Sequence, residues 1–541
     1  MGGGDSGDRP SLRRRVPTRD SRHHTTVIMG KSTYGQILKS SSLIGGSQAV
    51  AMLLGFVRTK VLAVLLGPQA PVAVGLVGIF TRLTQLVNSA VSLGASGSGV
   101  REISLTHASG DQRQFAVVLK ALRRMLLVIG LTGGAFMLCA APWLSKLFFD
   151  DYEQTTSIRW LAVTVVLANI SVTQGALLQG TRMIRQLAIV GIVTATVGTI
   201  GNIILYWKLG VNGVVPGLIL IACVAPVAGW YYARRVPTMR IEQSLAETLR
   251  ISKSLVTLGI SFLAAGLLMQ LVPLLIQTQI SRQFGKLSLG HYTAAFNASG
   301  LIVNFILSAM MTDFFPRLTA ATGSNSEMVR LINEQTEIGV LMSMPVLIGM
   351  LCFANWIIPL LYSKEFGPSI PMFCWLLLGC MGRVCSWPLG IVFAAQGKSL
   401  QIVLVELTAA AIHLTAVGIG LHFLGPLGAS IAFPTLYAVY AIWMFVWMRK
   451  RIQFKYTRSC RDILIGLAIF LMLGEVCIYC LSPGIRLIVG IVVTAAAAYW
   501  CLKNLLLRVG TSHPILARLM TIRWISYAFP QHSGGKSGIQ Q

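Results

Sequence analysis

The sequence predicts an all-α membrane protein that crosses the bilayer many times. Of its 541 residues, 54% are hydrophobic and only 12% are charged, which is more apolar side chain than a water-soluble core can bury. The apolar residues form long blocks, separated by short basic or Gly/Pro/Asn-rich segments, and most blocks exceed the ~20 residues that span a bilayer as a helix. These observations exclude a water-soluble protein.

Fourteen blocks are long enough to be membrane-spanning helices, arranged as two sets of six and a last pair. Their approximate bounds are 37–66, 72–97, 114–141, 157–180, 185–207, 213–233, 254–281, 289–314, 332–361, 368–395, 399–423, 427–448, 462–481 and 485–506.

The distribution of positive charge predicts the orientation in the membrane. With the N-terminus inside, and with charges toward the ends of the approximate spans counted with the adjoining segment, 34 of the 45 Lys and Arg residues belong to inner segments, seven to outer segments and four to the spans themselves. Cytoplasmic segments of membrane proteins are enriched in Lys and Arg, so we expect both termini in the cytoplasm. Much of the net charge of +27 then reflects this orientation in the membrane and an attraction to anionic lipid. We therefore expect no nucleic-acid partner.

An internal repeat relates the two sets of six helices. Gly75 and Gly290 begin the second and eighth spans at an offset of 215 in the numbering, and the same offset relates Gly210-x-x-Gly213 to Gly425-x-x-Gly428 and Arg234-Arg235 to Arg449-Lys450. Gln179-Gly180 and Gln396-Gly397 match at an offset of 217. Because six is an even number, both copies have the same orientation in the membrane, and a substrate path is expected between two six-helix lobes.

The repeat and the spans predict the domain organisation. We expect a disordered basic tail over 1–30, an N-terminal lobe, a cytoplasmic linker, a C-terminal lobe, two extra helices and a cytoplasmic tail. The lobes are 31–235 and 254–451, the linker is 236–253, the extra pair is 452–507 and the last tail is 508–541. Met29 is an alternative start to Met1.

Four cations within apolar spans are the candidate substrate-binding residues: Arg58, Lys60, Arg82 and Arg383. A charge within a span is costly unless it faces a wet cavity or a partner. The acids of the segment 31–150 all lie at or beyond span ends, and a phosphate or diphosphate is a suitable counter-ion for arginine. The alternatives are that Lys60 reaches the outer interface and that the arginines bond loose backbone carbonyls.

Glu406 and His413 are the candidates for proton coupling, since a spacing of seven residues places them on one face of a helix. A protonated or hydroxyl-bonded Glu406 is the alternative. Asp313 and Arg317, four residues apart, are predicted to form an ion pair at a helix end. Aromatic residues near span ends, including Trp230, Trp443 and Trp447, are interpreted as interfacial anchors.

Three segments resemble the opening of O-antigen (Wzx-type) flippases of the multidrug/oligosaccharidyl-lipid/polysaccharide exporter superfamily. They are Gln36 to Gln48, Gly55 to Pro68 and Gly94 to Arg101. The resemblance implies a two-lobed transporter that moves undecaprenyl-diphosphate-linked oligosaccharide across the bacterial cytoplasmic membrane. It also implies a lipid-linked substrate, contact with membrane lipid, and a polysaccharide polymerase and a chain-length regulator as candidate partners.

Two other functions are open to a protein with this many spans. A multidrug and toxin extruder has cationic substrates, which favour acids in the N-terminal lobe, where this chain has arginine. A membrane glycosyltransferase or polysaccharide polymerase needs a long catalytic outer loop, and the longest here, about 142–156, carries only Asp150, Asp151 and Glu153 together. No nucleotide-binding GxxxxGK[ST] motif occurs, and we expect no enzyme activity, metal, cofactor or catalytic residue.

Overall fold

The computed structural model describes residues 2, 23–92, 95–239 and 241–509, which form fifteen α-helices and no strand. The helices are α1 (His23–Leu66), α2 (Ala70–Ser92), α3 (Ala95–Ala108), α4 (Gln112–Phe149), α5 (Thr155–Gly180), α6 (Ile184–Leu209), α7 (Val214–Ala233), α8 (Leu245–Ala320), α9 (Asn325–Cys352), α10 (Ala354–Leu361), α11 (Ser369–Ala395), α12 (Ser399–Leu424), α13 (Pro426–Ile452), α14 (Arg458–Tyr479) and α15 (Pro483–Val509).

Most helices coincide with the predicted spans to within a few residues. The long helix α8 contains two of those spans, and it changes direction between them at Gly285, whose φ of 81° and ψ of 171° are not helical. Ten segments of the described chain are apolar and long enough to cross a bilayer, and three of these each contain two predicted spans. The total of fourteen spans stays a prediction.

Three features differ from the sequence prediction. First, α1 begins at His23, inside the predicted tail, because no proline interrupts the chain between His23 and Leu66; residues 3–22 lie outside the described ones. Second, the span predicted over 72–97 ends at Ser92, and a separate helix, α3, follows it. Third, the span predicted over 332–361 is interrupted at Phe353, between α9 and α10.

We call the bundle end that carries the α4–α5 loop the outer end, following the charge-based prediction, and the opposite end the inner end. At the outer end the two halves share one hydrophobic core, which includes Phe80, Leu144 and Leu289. At the inner end the buried apolar residues form two separate clusters. One, around Leu122, belongs to the first half and the start of α8; the other, around Phe393, belongs to the second half. Apart from Leu255 at the start of α8, which packs in the first of these inner clusters, the halves share their core only at the outer end.

The backbone supports the repeat. Gly210 and Gly425, which directly follow α6 and α12, have nearly the same conformation, with φ of 59° and 60° and ψ of −134° and −149°. A Cβ on Gly213 would lie 2.6 Å from the oxygen of Leu205, and one on Gly428 would lie 2.0 Å from the oxygen of Gly420. Both close approaches recur at the predicted offset, so these glycines serve the same turn in each half.

The sequence match at an offset of 217 paired residues that are not equivalent in the structure. Arg182 and Gly397 both have positive φ, at 58° and 67°, and each follows a helix that ends with equivalent backbone hydrogen bonds, such as Met183 to Leu178 and Lys398 to Phe393. These residues are related by the common offset of 215 instead. Glycine favours positive φ, but the residue of the first half that has this conformation is Arg182 and not Gly180. Gly180 and Gly397 therefore do not occupy equivalent positions.

The last two helices lie outside the repeat and pack against α9. Glycines make this close packing possible, since a Cβ on Gly474 would approach Leu351 to 2.7 Å. Near the inner end, Arg508 Nε donates to Glu337 Oε2 at 2.8 Å, and Thr457 Oγ1 lies 3.2 Å from the other oxygen of Glu337. These contacts fix the pair to the second half.

Candidate functional site

Arg58 lines a cavity of about 420 Å³ between α1, α6 and α7. Thr194 and Thr199 contribute hydroxyl groups to its lining, and the buried Thr194 Oγ1 has no hydrogen-bond partner within the described residues. Within the described residues, Arg58 forms no ion pair. Arg58 and this unpaired hydroxyl line the same cavity, and a cation together with a hydroxyl donor can bind an anion.

Arg82 faces the second half of the molecule. Its Nη1 donates to Gln270 Oε1 of α8 at 3.1 Å, and the buried Tyr292 of α8 lies close by. No carboxylate among the described residues pairs with it. Arg82 therefore has no anionic partner in the described structure, as expected where an anionic ligand supplies the counter-charge.

The neighbours of Arg58 and Arg82 differ. Arg58 adjoins α6 and α7 within the first half, and Arg82 adjoins α8 at the junction of the halves. Their convergence on one diphosphate stays a prediction.

Lys60 has a structural partner in this conformation. Its Nζ donates to the carbonyl oxygen of Pro359 in α10 at 2.8 Å, which links α1 to the second half. The alternatives assigned such a carbonyl bond to the arginines and assigned Lys60 to the outer interface, whereas here it is Lys60 that bonds a carbonyl. The role of Lys60 in substrate binding stays a prediction.

Arg383, Glu406 and His413 belong to the second half. Arg383 Nη1 donates to the exposed Asn304 Oδ1 at 2.8 Å, and Glu406 lies within electrostatic range of Arg383. His413 is buried, with its ring centroid 5.8 Å from that of Phe433 and its Nε2 unpaired in the described structure. Transfer of a proton between Glu406 and His413 stays a prediction. The ion pair predicted between Asp313 and Arg317 is confirmed, at 3.2 Å.

An ion-pair cluster joins the two halves at the outer end. Lys286, just after the break in α8, lies 2.7 Å from Glu153 and 3.2 Å from Asp151, and Arg282 lies 3.4 Å from Asp150. A hydrogen bond from Lys146 holds the pKa of Asp150 below its ordinary value, and one from Lys286 does the same for Glu153. We call these three acids, Arg282 and Lys286 the outer cluster.

Sequence reasoning missed the outer cluster. It treated the three acids only as too few for a catalytic loop and counted the two cations as outer charges. A signal was available, because Arg282 and Lys286 lie in one predicted outer loop, and the three acids lie in another, between the third and fourth spans. Spacing alone did not show that the two loops meet.

The model of a family described as "Polysaccharide biosynthesis protein" matches residues 61–371, which is more than half of the chain. The chain belongs to this polysaccharide biosynthesis protein family. A comparison with curated proteins finds no match.

Solved structures show the same fold. A multidrug resistance MATE family transporter of the MOP superfamily, in its inward-facing conformation, is 16% identical, with 74% of this chain and 94% of that chain covered and a TM-score of 0.62. The lipid II flippase MurJ in an inward closed conformation is 11% identical, with 86% and 99% covered and a TM-score of 0.61.

A third similar structure is a MOP superfamily transporter from Pyrococcus furiosus Vc1, described as having a binding pocket of reverse polarity. It is 16% identical, with 77% of this chain and 96% of that chain covered and a TM-score of 0.54. At these identities the likeness concerns the fold alone. It confirms the predicted class, a multi-pass helical membrane protein of transporter fold.

Proposed function

We propose that this member of the polysaccharide biosynthesis protein family is a flippase that moves an undecaprenyl-diphosphate-linked oligosaccharide, an O-antigen unit or a related repeat unit, across the bacterial cytoplasmic membrane. The observation that carries the proposal is the pair of span arginines, Arg58 and Arg82, neither of which has a carboxylate partner among the described residues. A diphosphate supplies the missing negative charge through charge-assisted hydrogen bonds.

Multidrug transporters share this fold, so the charge of the site decides between the two substrate classes. A cationic drug needs acids, and the acids nearest the outer end, Asp150, Asp151 and Glu153, are already paired with Lys and Arg. The polarity of the first half therefore favours an anionic substrate. A pocket of reversed polarity is also described for the Pyrococcus transporter.

The mechanism is alternating access between the two halves. In this structure the outer cluster, the bond from Lys60 to Pro359 and the shared core close the outer end, while the inner clusters are separate. This arrangement suits loading of the substrate from the cytoplasmic leaflet. Opening then breaks the outer cluster and brings the inner ends of the halves together.

The polyprenyl tail stays in lipid during this cycle. An alkyl chain gains about 0.8 kcal/mol per buried CH₂ and has no reason to enter a wet cavity. We assign it to a lateral surface bordered by α14 and α15, whose exposed side chains, such as Ile469 and Ile488, are apolar. A polymerase and a chain-length regulator remain the candidate partners on the outer side.

Deletion of the gene in its source organism tests this function. We expect surface polysaccharide to disappear and the lipid-linked oligosaccharide to accumulate in the inner leaflet, with the wild-type gene restoring export. Normal surface polysaccharide together with increased sensitivity to cationic drugs would instead support a multidrug extruder.

A further inference from the structure

Four aromatic side chains form a ladder on α13. Tyr437, Tyr440, Trp443 and Trp447 follow one another at spacings of three or four residues, which places them on one side of the helix. Successive ring centroids are 6.3, 6.1 and 5.1 Å apart. All four side chains are partly exposed. We call these residues the aromatic ladder.

The ladder does not occupy the lipid-facing side of α13. That side carries Val439, Ile442 and Val446, with exposed fractions of 42%, 66% and 46%. The ladder instead faces α11, where two glycines make room for it. A Cβ on Gly382 would lie 2.9 Å from Tyr437 Cβ, and one on Gly390 would lie 2.5 Å from the hydroxyl oxygen of Tyr440. The interpretation of Trp443 and Trp447 as lipid-interface anchors does not explain this direction.

The rings of the ladder pack partly against the inner core, with Trp447 4.6 Å from Phe393, but their polar groups have no partner in the described structure. Within the described residues, the hydroxyls of Tyr437 and Tyr440 and the indole N–H groups of Trp443 and Trp447 have no hydrogen-bond partner, and none of these atoms is fully buried. An unpaired polar group at membrane depth is costly. A face with four such groups therefore suits water or a polar ligand.

A carboxylate lies beside the ladder. Glu406 of α12 is within electrostatic range of Tyr437, Tyr440 and Arg383, and it forms no ion pair in the described part of the chain. A carboxyl group forms hydrogen bonds with hydroxyl groups whether it is ionised or protonated. Glu406 thus adds a carboxyl group near the tyrosine end of the ladder.

We propose that the aromatic ladder and Glu406 form a carbohydrate-binding track for the glycan of the transported lipid; this inference rests on the proposed flippase function. The electron-rich faces of the rings attract the polarised C–H groups on the apolar face of a sugar ring. Sugar hydroxyls both donate and accept hydrogen bonds, so they pair with Glu406, the tyrosine hydroxyls and the indole N–H groups. From Tyr437 to Trp447 the track is about 15 Å long, enough for more than one sugar.

The track leads from the inner end toward Arg82. Beyond Tyr437, the ring of Phe433 lies 5.1 Å away, Phe296 contacts Phe433 at 5.8 Å, and Tyr292 beside Arg82 stacks on Phe296 at 5.9 Å. Ring contacts thus connect the ladder to Arg82 through the buried side chains of Phe433 and Tyr292. The glycan and the diphosphate can be tested independently.

Binding to the full-length protein in nanodiscs tests the track. The probes are the lipid-linked oligosaccharide extracted from the source organism, either intact or trimmed by exoglycosidases to its first sugar. The variants are Tyr440→Leu, Trp443→Leu, and Tyr440→Phe, which keeps the ring. Trp230→Leu, at the inner end of α7 and 56% exposed, is the matched aromatic control.

We expect Tyr440→Leu and Trp443→Leu to bind the intact lipid about tenfold more weakly, while their affinity for the trimmed lipid is unchanged. Tyr440→Phe should lose less affinity than Tyr440→Leu, and Trp230→Leu should match the wild type. Equal loss for both lipids, or no loss for either, overturns the track. If wild-type protein binds neither lipid, the proposed function fails and the track with it.

Discussion

Gly75 and Gly290, which are equivalent positions of the repeat, contact each other across the junction of the two halves. A Cβ on Gly75 would lie 2.9 Å from the nitrogen of Gly290, and one on Gly290 would lie 1.8 Å from the oxygen of Pro71. Equivalent residues of a two-fold repeat meet each other where the axis passes between them. The contact thus places the pseudo-symmetry axis between α2 and the second arm of α8.

This contact gives the first prediction. Gly290→Ala forces the backbones of α2 and α8 apart, and we expect it to lower stability by about 1–3 kcal/mol, as overpacking does. Thermal unfolding in detergent measures the effect. Gly418→Ala is the control, since a Cβ there meets nothing within 4 Å and alanine favours a helix. Equal unfolding temperatures for Gly290→Ala and the wild type would contradict the close contact.

The second prediction concerns the outer cluster. Lys286→Gln removes the ion pairs to Asp151 and Glu153, so the outer end should open more readily. We expect faster labelling of the Gln154→Cys variant by a membrane-impermeant maleimide, in a background where Cys139 and Cys480 are replaced by serine. Lys208→Gln, at an exposed outer lysine without an ion pair in the described chain, should have no effect. An unchanged labelling rate in Lys286→Gln would mean that the cluster does not hold the outer end closed.

The third prediction is the pH dependence of that labelling. The pKa values of Asp150 and Glu153 are held below their ordinary values of 3.8 and 4.5 by hydrogen bonds from Lys146 and Lys286. The ion pairs that these acids form across the two halves, which for Asp150 is the pair with Arg282, therefore stabilise the closed outer end fully above the ordinary pKa values. This stabilisation disappears as the pH falls through the lowered pKa values. Because the reactive thiolate becomes scarcer as the pH falls, the labelling rate is compared with that of the same cysteine in the Lys286→Gln variant. This ratio should be constant from neutral pH down to about 5 and increase only below about 4. Salt should increase it at all these pH values, because exposed ion pairs are screened. An increase centred near pH 6.5 would point to a histidine instead.

The fourth prediction is the membrane topology. Reporter fusions after Arg235 and Arg451 should report the cytoplasm, and a fusion within 362–368 should report the outside, because inner segments carry most of the Lys and Arg. An external signal at Arg451 would overturn both the orientation and the number of spans.

The sequence was sufficient to predict the fold class, because apolar block length and repeat spacing are properties of the chain itself. It missed α3, whose Gly- and Ser-rich start gives a weak helical pattern, and the break at Phe353, where the residues are as apolar as a continuous span. It also did not predict that Arg58 and Arg82 have different neighbours, or that Lys286 reaches Glu153. Those facts depend on which helices are adjacent, and helical periodicity does not specify adjacency.

The central claim is that span arginines hold the diphosphate of a lipid-linked oligosaccharide during translocation. The most direct measurement is the movement of that lipid between the leaflets of proteoliposomes, for the wild type and for Arg58 and Arg82 variants of equal abundance. We expect transport by the wild type, none by Arg58→Ala or Arg82→Ala, and partial transport by the lysine variants, which keep the charge but lose the bidentate geometry. Wild-type transport by the double alanine variant would contradict the account.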